Sequence, residues 1–419
     1  TKIIMLKLQR KINQYLHTLI DLDKKSNKLP SFIKNILLIH QIKKELKDES
    51  KQHSIQLPLA KKTNRYASQV IKSLSDYMPN NSGNWTIENP HSISTKLEKQ
   101  VIETMKNYFH CQDNNQVAGH ITSGSTEGNI YAAWLGRTYL TNKLKLNSVT
   151  KMALLISSLG HYSLKKAGDI INVKTEELAI NEQNWNIDLD YLEKTITKLY
   201  KKGIKAFLLP LTLGYTLTGT DDDIEKICQI SNNFKKQHGD ADFFIWIDAA
   251  FSGISKMILE KKFQPLKNKS VQLITTDFHK LLSAPYGSGV VLYQKSLINL
   301  IKKNKIVYTN QFDLTLLGSR SGLNVIAIWM ILKNLNKKKL QQAFSKAMIN
   351  KKSFLQEIKN NNSETEILNN HSSVQACLVQ KNQLIKHSLK NLTTHEHKLY
   401  FPTGYKNKKI TNLYFFPKF

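Results

Sequence analysis

The chain has 419 residues, with 61 Lys and Arg against 32 Asp and Glu, which gives a formal net charge of +29. A hydrophobic share of 41% with only 17 Gly and 9 Pro excludes a collagen-like or broadly disordered chain and predicts a soluble globular protein of two or three domains. Apolar runs stay well short of the roughly 18 residues that cross a bilayer, and Lys7 interrupts the first one too early for a signal peptide, so a cytoplasmic location is expected.

The positive charge is spread along the chain. Lysine occurs nearly throughout, usually beside asparagine, as in KNKS, NLNKKK and YKNKK. This distribution is typical of a solvated lysine-rich surface, whereas a nucleic-acid binder concentrates its cations on one face, so direct nucleic-acid binding is not expected. The cysteines Cys111, Cys228 and Cys377 lie far apart without metal-ligand spacing, so free thiols and no metal site are predicted.

Hydrophobic patterning divides the chain into three predicted domains. Residues 1–60 carry apolar side chains at helical spacing and are expected to form an N-terminal helical arm. Residues 61–310 form the large domain, in which helices near 161–168 and 221–236 alternate with the apolar runs MALLIS, AFLLPL, FFIWIDAA, VQLITTD and GVVLY. Buried strands alternating with helices predict a mostly parallel sheet covered on both faces. Residues 311–419 are expected to form a small C-terminal α+β domain that begins with an apolar helix.

The segment GHITSGSTEGNIYAAWLGR places small residues just before a strong helical pattern. Free N–H groups and the positive end of the helix dipole at Gly124, Ser125 and Thr126 can bind an anion such as phosphate. Serine and threonine also cap helices routinely, so an N-capped helix without a ligand is the alternative.

Two further segments place ionisable side chains where predicted strands end. Asp248 follows an apolar run, and ligands of open parallel sheets bind at strand ends, although a salt-bridged or helix-capping aspartate is the alternative. His161 follows another strand, and His279 and Lys280 lie between two more. Burial lowers the pKa of a lysine amine, which can then form a Schiff base with a carbonyl group, whereas an ordinary solvated lysine is the alternative.

Taken together in their order along the chain, these segments resemble a fold-type I pyridoxal-phosphate enzyme, specifically a group II amino-acid decarboxylase. The resemblance covers about residues 83–322 and depends on GNWTIENPHSISTKLEKQVIETM, SGSTEGN, LGHYSLKKA, LGYTLTGTDDDI, WIDAAFSG and DFHKLLSAPYGSG. VYTNQFDLTLLGSRSG further resembles the GSRNG segment of the branch that contains bacterial histidine decarboxylases and plant serine decarboxylases. The implied fold is α/β with a mostly parallel central sheet, and the implied activity is release of CO₂ and an amine from an L-amino acid.

The resemblance also implies a role for particular residues. Lys280 would bond covalently to pyridoxal phosphate, Asp248 would pair with the pyridine nitrogen, and His161 and Ala250 would lie on opposite ring faces. A general acid would then protonate the former α-carbon, with Lys280, His161 or Tyr308 as candidates and Tyr308 favoured. The other implied cofactor contacts are Gly124, Ser125 and Thr126 at the phosphate, then Thr216, His279, Ser319 and Arg320. Relatives complete this site across a dimer interface, so a homodimer with shared active sites is expected.

Several residues depart from the pattern of the branch. Asp277 stands where histidine decarboxylases tend to have serine, although other group II members have aspartate there. The remaining departures are Ser125, Tyr215, Ser288, Phe312 and Ser321. They leave the cofactor assignment intact and leave the amino-acid substrate open, with histidine suggested by the branch alone.

Two other functions are compatible with parts of the sequence. A carbon–carbon lyase resembling sphingosine-phosphate lyase shares the D-x-HK and GSR segments, although EGN after the glycine-rich turn is more typical of decarboxylases. A non-catalytic basic binding protein that kept the fold would predict salt-sensitive retention of nucleic acid and no cofactor spectrum, and the joint presence of Lys280 and Asp248 argues against it.

Overall fold

The computed structural model describes residues 31–49, 63–83, 92–111, 114–260, 262–301, 307, 312, 314–361, 366–369, 374–380, 397–399, 403–405, 408–415 and 417. Tyr308 and most of the predicted N-terminal arm lie outside these residues. The chain divides into two units, 1–57 and 58–419. The first contributes helix α1 (Ser31–Glu49), which confirms the helical spacing predicted there.

The second unit contains the remaining helices and all the described strands. Its helices are α2 (Arg65–Leu74), α3 (Ile93–Tyr108), α4 (Ser125–Lys143), α5 (Tyr162–Ile170), α6 (Leu189–Lys201), α7 (Ile224–Gln237), α8 (Gly253–Leu259), α9 (Phe278–Leu281), α10 (Ile298–Ile301), α11 (Gly322–Asn334) and α12 (Lys337–Asn361). Among the described helices, none combines the length and the apolar composition that crossing a membrane requires.

The strands of the large sheet are β1 (Val117–Thr122), β2 (Met152–Ser157), β3 (Lys174–Leu178), β6 (Ala206–Thr212), β7 (Asp242–Asp248), β8 (Val271–Asp277) and β9 (Gly289–Gln294). A separate hairpin pairs β4 (Ile180–Asn181) with β5 (Asn186–Ile187). The seven strands follow the order β1-β9-β8-β7-β6-β2-β3. Only β9 runs against its neighbours, so the sheet is mostly parallel, as predicted.

Alternation along the strands explains how helices cover both faces of this sheet. Phe207, Leu209 and Leu211 of β6 join one buried apolar cluster, whereas Ala206 and Leu208 join the other. Because successive side chains of a strand point to opposite faces, an entirely apolar strand needs a helical layer on each side. All five predicted strands and both predicted helices of this region are confirmed.

Two long helices and a second sheet follow the large sheet along the chain. The predicted apolar helix is confirmed as α11, and α12 comes directly after it. The sheet contains β10 (Glu366–Asn369), β11 (Gln375–Gln380), β12 (His397–Leu399), β13 (Thr403–Tyr405) and β14 (Lys408–Phe415). The side-chain amide of Gln375 donates to the carbonyl of Thr216 at 3.1 Å, which places this sheet against the turn after β6.

Candidate active site

The carboxyl ends of the central strands bring two aspartates to one edge of the sheet. Asp248 is the last residue of β7 and Asp277 the last residue of β8, and each is 3% exposed. Thr212, at the end of β6, pairs with Asp248 in the strand register. Because parallel strands present the same ends to one edge, these side chains share the place where open α/β sheets bind ligands.

Helix α4 begins at the same edge, immediately after β1. Gly124 is its N-cap with φ of +136°, a backbone conformation that favours glycine. A Cβ atom added there would lie 3.4 Å from Cε1 of His279. The glycine therefore lets the helix N-terminus lie close against the segment that carries His279 and Lys280.

Asp277 connects the start of α4 to that segment. Its Oδ1 accepts hydrogen bonds from the backbone N–H of Ser125 at 2.7 Å and from the Ser125 hydroxyl at 2.9 Å. Its Oδ2 lies 3.4 Å from Nζ of Lys280 and 3.5 Å from Nε2 of His279. The carboxylate thus occupies the positive end of the helix dipole and forms an ion pair with the lysine amine.

The carboxylate of Asp248 is oriented by two donors. The side-chain amide of Asn129 donates to Oδ2 at 2.7 Å, and the backbone N–H of Ala250 donates to Oδ1 at 3.1 Å. A buried carboxylate needs such donors because leaving its oxygens unpaired is costly. Asp248 is therefore held in one orientation at the end of β7.

His161 lies close to both aspartates and to the lysine. Burial lowers the pKa of its imidazole, Asp248 and Asp277 raise it, and Lys280 and Lys166 lower it further. Hydrogen bonds connect His161 to Asp248 through Ser163 and Asn129 of α4. Asp277 joins Lys280 to the first residue of the same helix, so the structure brings the three predicted residues to one region. His161 also caps α5, because its Nδ1 accepts the backbone N–H of Ser163 at 3.3 Å.

The other predicted cofactor contacts lie at different places around this edge. Thr126 is half-buried on the first turn of α4, and His279 has its ring centroid 5.1 Å from that of Tyr286. Thr216 is exposed in the turn that the second sheet contacts. The Ser319 hydroxyl accepts from the side-chain amide of Asn80 at 3.1 Å. Tyr308 lies outside the described residues.

Arg320 forms a buried ion pair away from the lysine. Its Nη1 lies 2.6 Å from Oε1 of Glu98 and donates to the carbonyl of Ile121 at 2.8 Å, and its Nη2 donates to the carbonyl of Gly83 at 2.7 Å. Oε1 of Glu98 also accepts the backbone N–H of Ile121. The ion pair therefore fixes the end of β1 just before Gly124. Direct contact of Arg320 with a cofactor stays a prediction.

The site contains the groups that a phosphorylated aldehyde would need. Lys280 offers an amine beside a carboxylate, Asp248 is a buried anion, and the N-terminus of α4 lies at the same edge with Asp277 bound to it. Within the described part of the chain, no group of three or more His, Cys, Asp or Glu side chains is arranged to hold a metal ion. An open α/β fold with these groups at its strand ends is of the class in which a lysine amine can hold a carbonyl cofactor.

Comparison with known proteins identifies the family. Residues 27–381 match the pyridoxal-dependent decarboxylase conserved domain, so the chain belongs to this family, whose cofactor is pyridoxal phosphate. The chain is 30% identical over 237 residues to a tryptophan decarboxylase of Clostridium sporogenes, covering 56% of this chain and 55% of that protein. It thus spans about half the length of that relative.

Two further similar proteins are named for different substrates. A histidine decarboxylase of Solanum lycopersicum is 27% identical over 299 residues, covering 71% of this chain and 68% of that protein. The crystal structure of L-methionine decarboxylase from Streptomyces sp. 590 superposes with a TM-score of 0.73 at 16% identity, covering 92% of each chain. The structural similarity shows the fold, and the three names leave the substrate of this chain open.

Sequence reasoning missed three parts of the site. Asn129 and Ser163 lie inside the quoted motifs SGSTEGN and LGHYSLKKA without a role of their own, and Glu98 was not linked to Arg320. A signal existed for Asn129, because it follows Ser125 by four positions and therefore lies on the same face of α4. No sequence signal pairs Glu98 with a residue 222 positions away.

Proposed function

We propose that this chain is a pyridoxal-phosphate-dependent L-amino-acid decarboxylase that releases CO₂ and an amine. The proposal is carried by the contacts that group Lys280, Asp248 and His161 around the first turns of α4, at the ends of parallel strands. Membership of the pyridoxal-dependent decarboxylase family supports it. When bound, the cofactor supplies a conjugated ring that accepts the electron pair left by departing CO₂.

The chain's own residues would hold and polarise that ring. Lys280 would provide the amine that bonds to the aldehyde, and Asp248 would keep a proton on the pyridine nitrogen as its counter-charge. His161 would lie on one face of the ring and Ala250 on the other. Gly124, Ser125 and Thr126 would bind the phosphate, together with the positive end of α4.

Proton delivery to the former α-carbon completes the reaction. Lys280 and His161 are the described candidates, since both lie in the region of Asp248 and each can carry a proton to a nearby carbon. Tyr308 stays a candidate from the sequence. Replacing each of the three in turn and comparing the rate of CO₂ release with the rate of substrate binding separates the acid from the others.

The substrate is an amino acid whose identity the proposal leaves to experiment. Cofactor-loaded protein is incubated with tryptophan, histidine, methionine, aspartate, glutamate and serine, and amines are measured by mass spectrometry. The proposal expects one or a few amines with matching CO₂ and none from Lys280→Ala. Amino-acid-induced changes in cofactor absorbance without any CO₂ would contradict it.

A carbon–carbon lyase is not favoured, because the matched domain and the curated relatives described above are decarboxylases. Adding a phosphorylated sphingoid base to the same panel tests that reaction directly. Release of a long-chain aldehyde, with no amine from any amino acid, would replace the proposed activity by the lyase.

The proposal includes a homodimer and a cytoplasmic location. Exposed apolar side chains at Tyr77, Met78, Leu316 and Leu317 support association with a second copy, because apolar surface of this kind is typical of interfaces. The three cysteines all lie in the described residues and form no disulfide, which is compatible with a reducing compartment. Light scattering of the loaded protein would give a dimer mass if the first part is correct.

A further inference from the structure

A buried asparagine links Asp248 to His161, the two residues that the proposed function places against the cofactor ring. Asn129, which is fully buried on α4, donates from Nδ2 to Oδ2 of Asp248 at 2.7 Å and to Oγ of Ser163 at 3.0 Å. Its Oδ1 accepts from Nε1 of Trp246 at 3.0 Å. Ser163 Oγ lies 2.8 Å from Nδ1 of His161. We refer to Trp246, Asn129, Asp248, Ser163 and His161 as the Asn129 network.

Donor and acceptor chemistry fixes the direction of the hydrogen bonds that Asn129 makes. The indole N–H of Trp246 only donates, so it must face the amide oxygen of Asn129. The amide nitrogen then faces Asp248, whose carboxylate accepts, and Ser163. Trp246 and Asp248 therefore require the same orientation of the Asn129 amide. Flipping the amide would place two N–H donors opposite each other at Trp246.

The same reasoning continues to His161. Ser163 Oγ already accepts a hydrogen bond from Asn129, so its own proton is available for Nδ1 of His161. The backbone N–H of Ser163 also points to Nδ1, at 3.3 Å. With two donors at Nδ1, the neutral imidazole carries its proton on Nε2.

We propose that Asn129 is a positioning residue that fixes the carboxylate of Asp248 and, through Ser163, the proton position on His161. This inference rests on the proposed function, in which Asp248 faces the ring nitrogen and His161 lies on the ring. One side chain then sets both the counter-charge of the cofactor and the state of the imidazole over it. A neutral imidazole suits that place, because a cation beside a protonated ring would be repelled.

The charges around His161 are consistent with a neutral ring. Burial lowers its pKa, and Lys280 and Lys166 lower it further, whereas Asp248 and Asp277 act in the opposite direction. These four charged groups come from the end of β7, from the β8 to α9 segment and from α5. The hydrogen-bond directions given above are independent of this balance.

The experiment begins with the cofactor-free protein. Long-range proton–nitrogen NMR correlation reports which imidazole nitrogen is protonated, and the His161 signals are assigned with His161→Asn. We expect His161 to carry its proton on Nε2 in the parent protein. Asn129→Ala and Ser163→Ala should both produce a mixture of tautomers, because the hydroxyl donor is no longer directed at Nδ1 or is absent.

The second readout is cofactor affinity, measured by titrating pyridoxal phosphate into the same variants. Losing a hydrogen bond to a charged carboxylate predicts that Asn129→Ala weakens binding about tenfold or more. Trp246→Phe keeps one aromatic ring but removes the orienting N–H together with the rest of the buried indole. It should shift both readouts in the same direction by less, and urea denaturation separates that shift from the loss of stability caused by the cavity. Ser163→Ala should change the His161 spectrum more than the affinity.

Ser231→Ala is the matched control. Ser231 is also a buried helical serine, but its hydroxyl donates to the carbonyl of Ile227 in its own helix α7. It should leave both readouts unchanged. If Asn129→Ala does not fold, Ser163→Ala and Trp246→Phe carry the test.

Unchanged His161 signals and unchanged affinity in the folded variants would overturn the inference. A parent protein that binds no pyridoxal phosphate would instead contradict the proposed function, while the NMR comparison still reports on the Asn129 network. The two failures are therefore distinguishable.

Discussion

Asp277 accepts two hydrogen bonds from Ser125, one from its backbone N–H at 2.7 Å and one from its hydroxyl at 2.9 Å. The N-terminus of α4 is where the proposed function binds the phosphate of the cofactor. A carboxylate in this position is a second anion at the same helix end, and it also forms an ion pair with Lys280. We therefore expect Asp277 to oppose phosphate binding at this helix end.

Asp277→Asn should strengthen binding of inorganic phosphate and of pyridoxal phosphate by about three- to tenfold. The amide keeps an acceptor for Ser125, but the negative charge that opposes a phosphate at this helix end is removed. Calorimetric titration of the cofactor-free protein measures both affinities. Weaker phosphate binding by this variant would mean that the carboxylate assists the site.

Asp248→Asn should lower kcat by about 10²–10³ with a smaller effect on KM. The neutral amide cannot hold a proton on a ring nitrogen, and stabilisation by a buried charge is worth several kcal/mol in such sites. Steady-state CO₂ release measures the change. Asp240→Asn is the control, because Asp240 pairs with Lys205 at the surface and its loss should leave kcat unchanged. Equal rates for Asp248→Asn and the parent would exclude the counter-charge role.

Glu98→Ala should reduce the free energy of unfolding by about 3–5 kcal/mol, because it leaves the buried Arg320 guanidinium without its partner. Urea denaturation measures the change. The double variant Glu98→Leu, Arg320→Met should be considerably more stable than Glu98→Ala, since it removes both charges. If Glu98→Ala lowers cofactor affinity at unchanged stability, the pair acts mainly on the site.

The buried amine of Lys351 on α12 should make the free energy of unfolding depend on pH. Burial lowers its pKa to about 7, opposed by Asp221. Above pH 7 the folded protein therefore loses this proton while the unfolded chain keeps it, so the unfolded chain binds more protons and stability rises with pH. From pH 7 to 9 this contribution should be about 2 kcal/mol.

Lys351→Met should remove that rise. The exposed Lys346 on the same helix provides the control variant Lys346→Met, which should keep it. Urea denaturation of the three proteins at pH 7 and 9 makes the comparison. A rise that persists in Lys351→Met would assign it to another group.

The sequence predicted the buried elements of the fold well and the polar or glycine-containing ones poorly. The uninterrupted apolar runs AFLLPL in β6 and FFIWI in β7 are strong strand signals. Strand β1 was not predicted, because Gly119 and His120 interrupt its apolar pattern. Gly119 is required there, since a Cβ atom would lie 2.4 Å from the carbonyl oxygen of Val291. Strand β3 was missed because it lies at the sheet edge and is largely solvent-accessible and polar.

The candidate site shows the same limit. Motifs indicated Lys280, Asp248 and His161, because each follows a predicted strand at a place where ligands bind. The partners of these residues were not predictable, because Asp248 is oriented by Asn129 from a position 119 residues away. Pairings of this kind depend on how helices pack onto the sheet, which a single sequence does not specify.

Borohydride reduction can trap the proposed covalent bond between Lys280 and the cofactor aldehyde. Reduction converts the C=N bond into a stable secondary amine, so the cofactor stays on its lysine through digestion and mass spectrometry. We expect one labelled peptide, containing Lys280, and no label in Lys280→Ala. Label on a different lysine, or a parent protein that takes up no label, would contradict it.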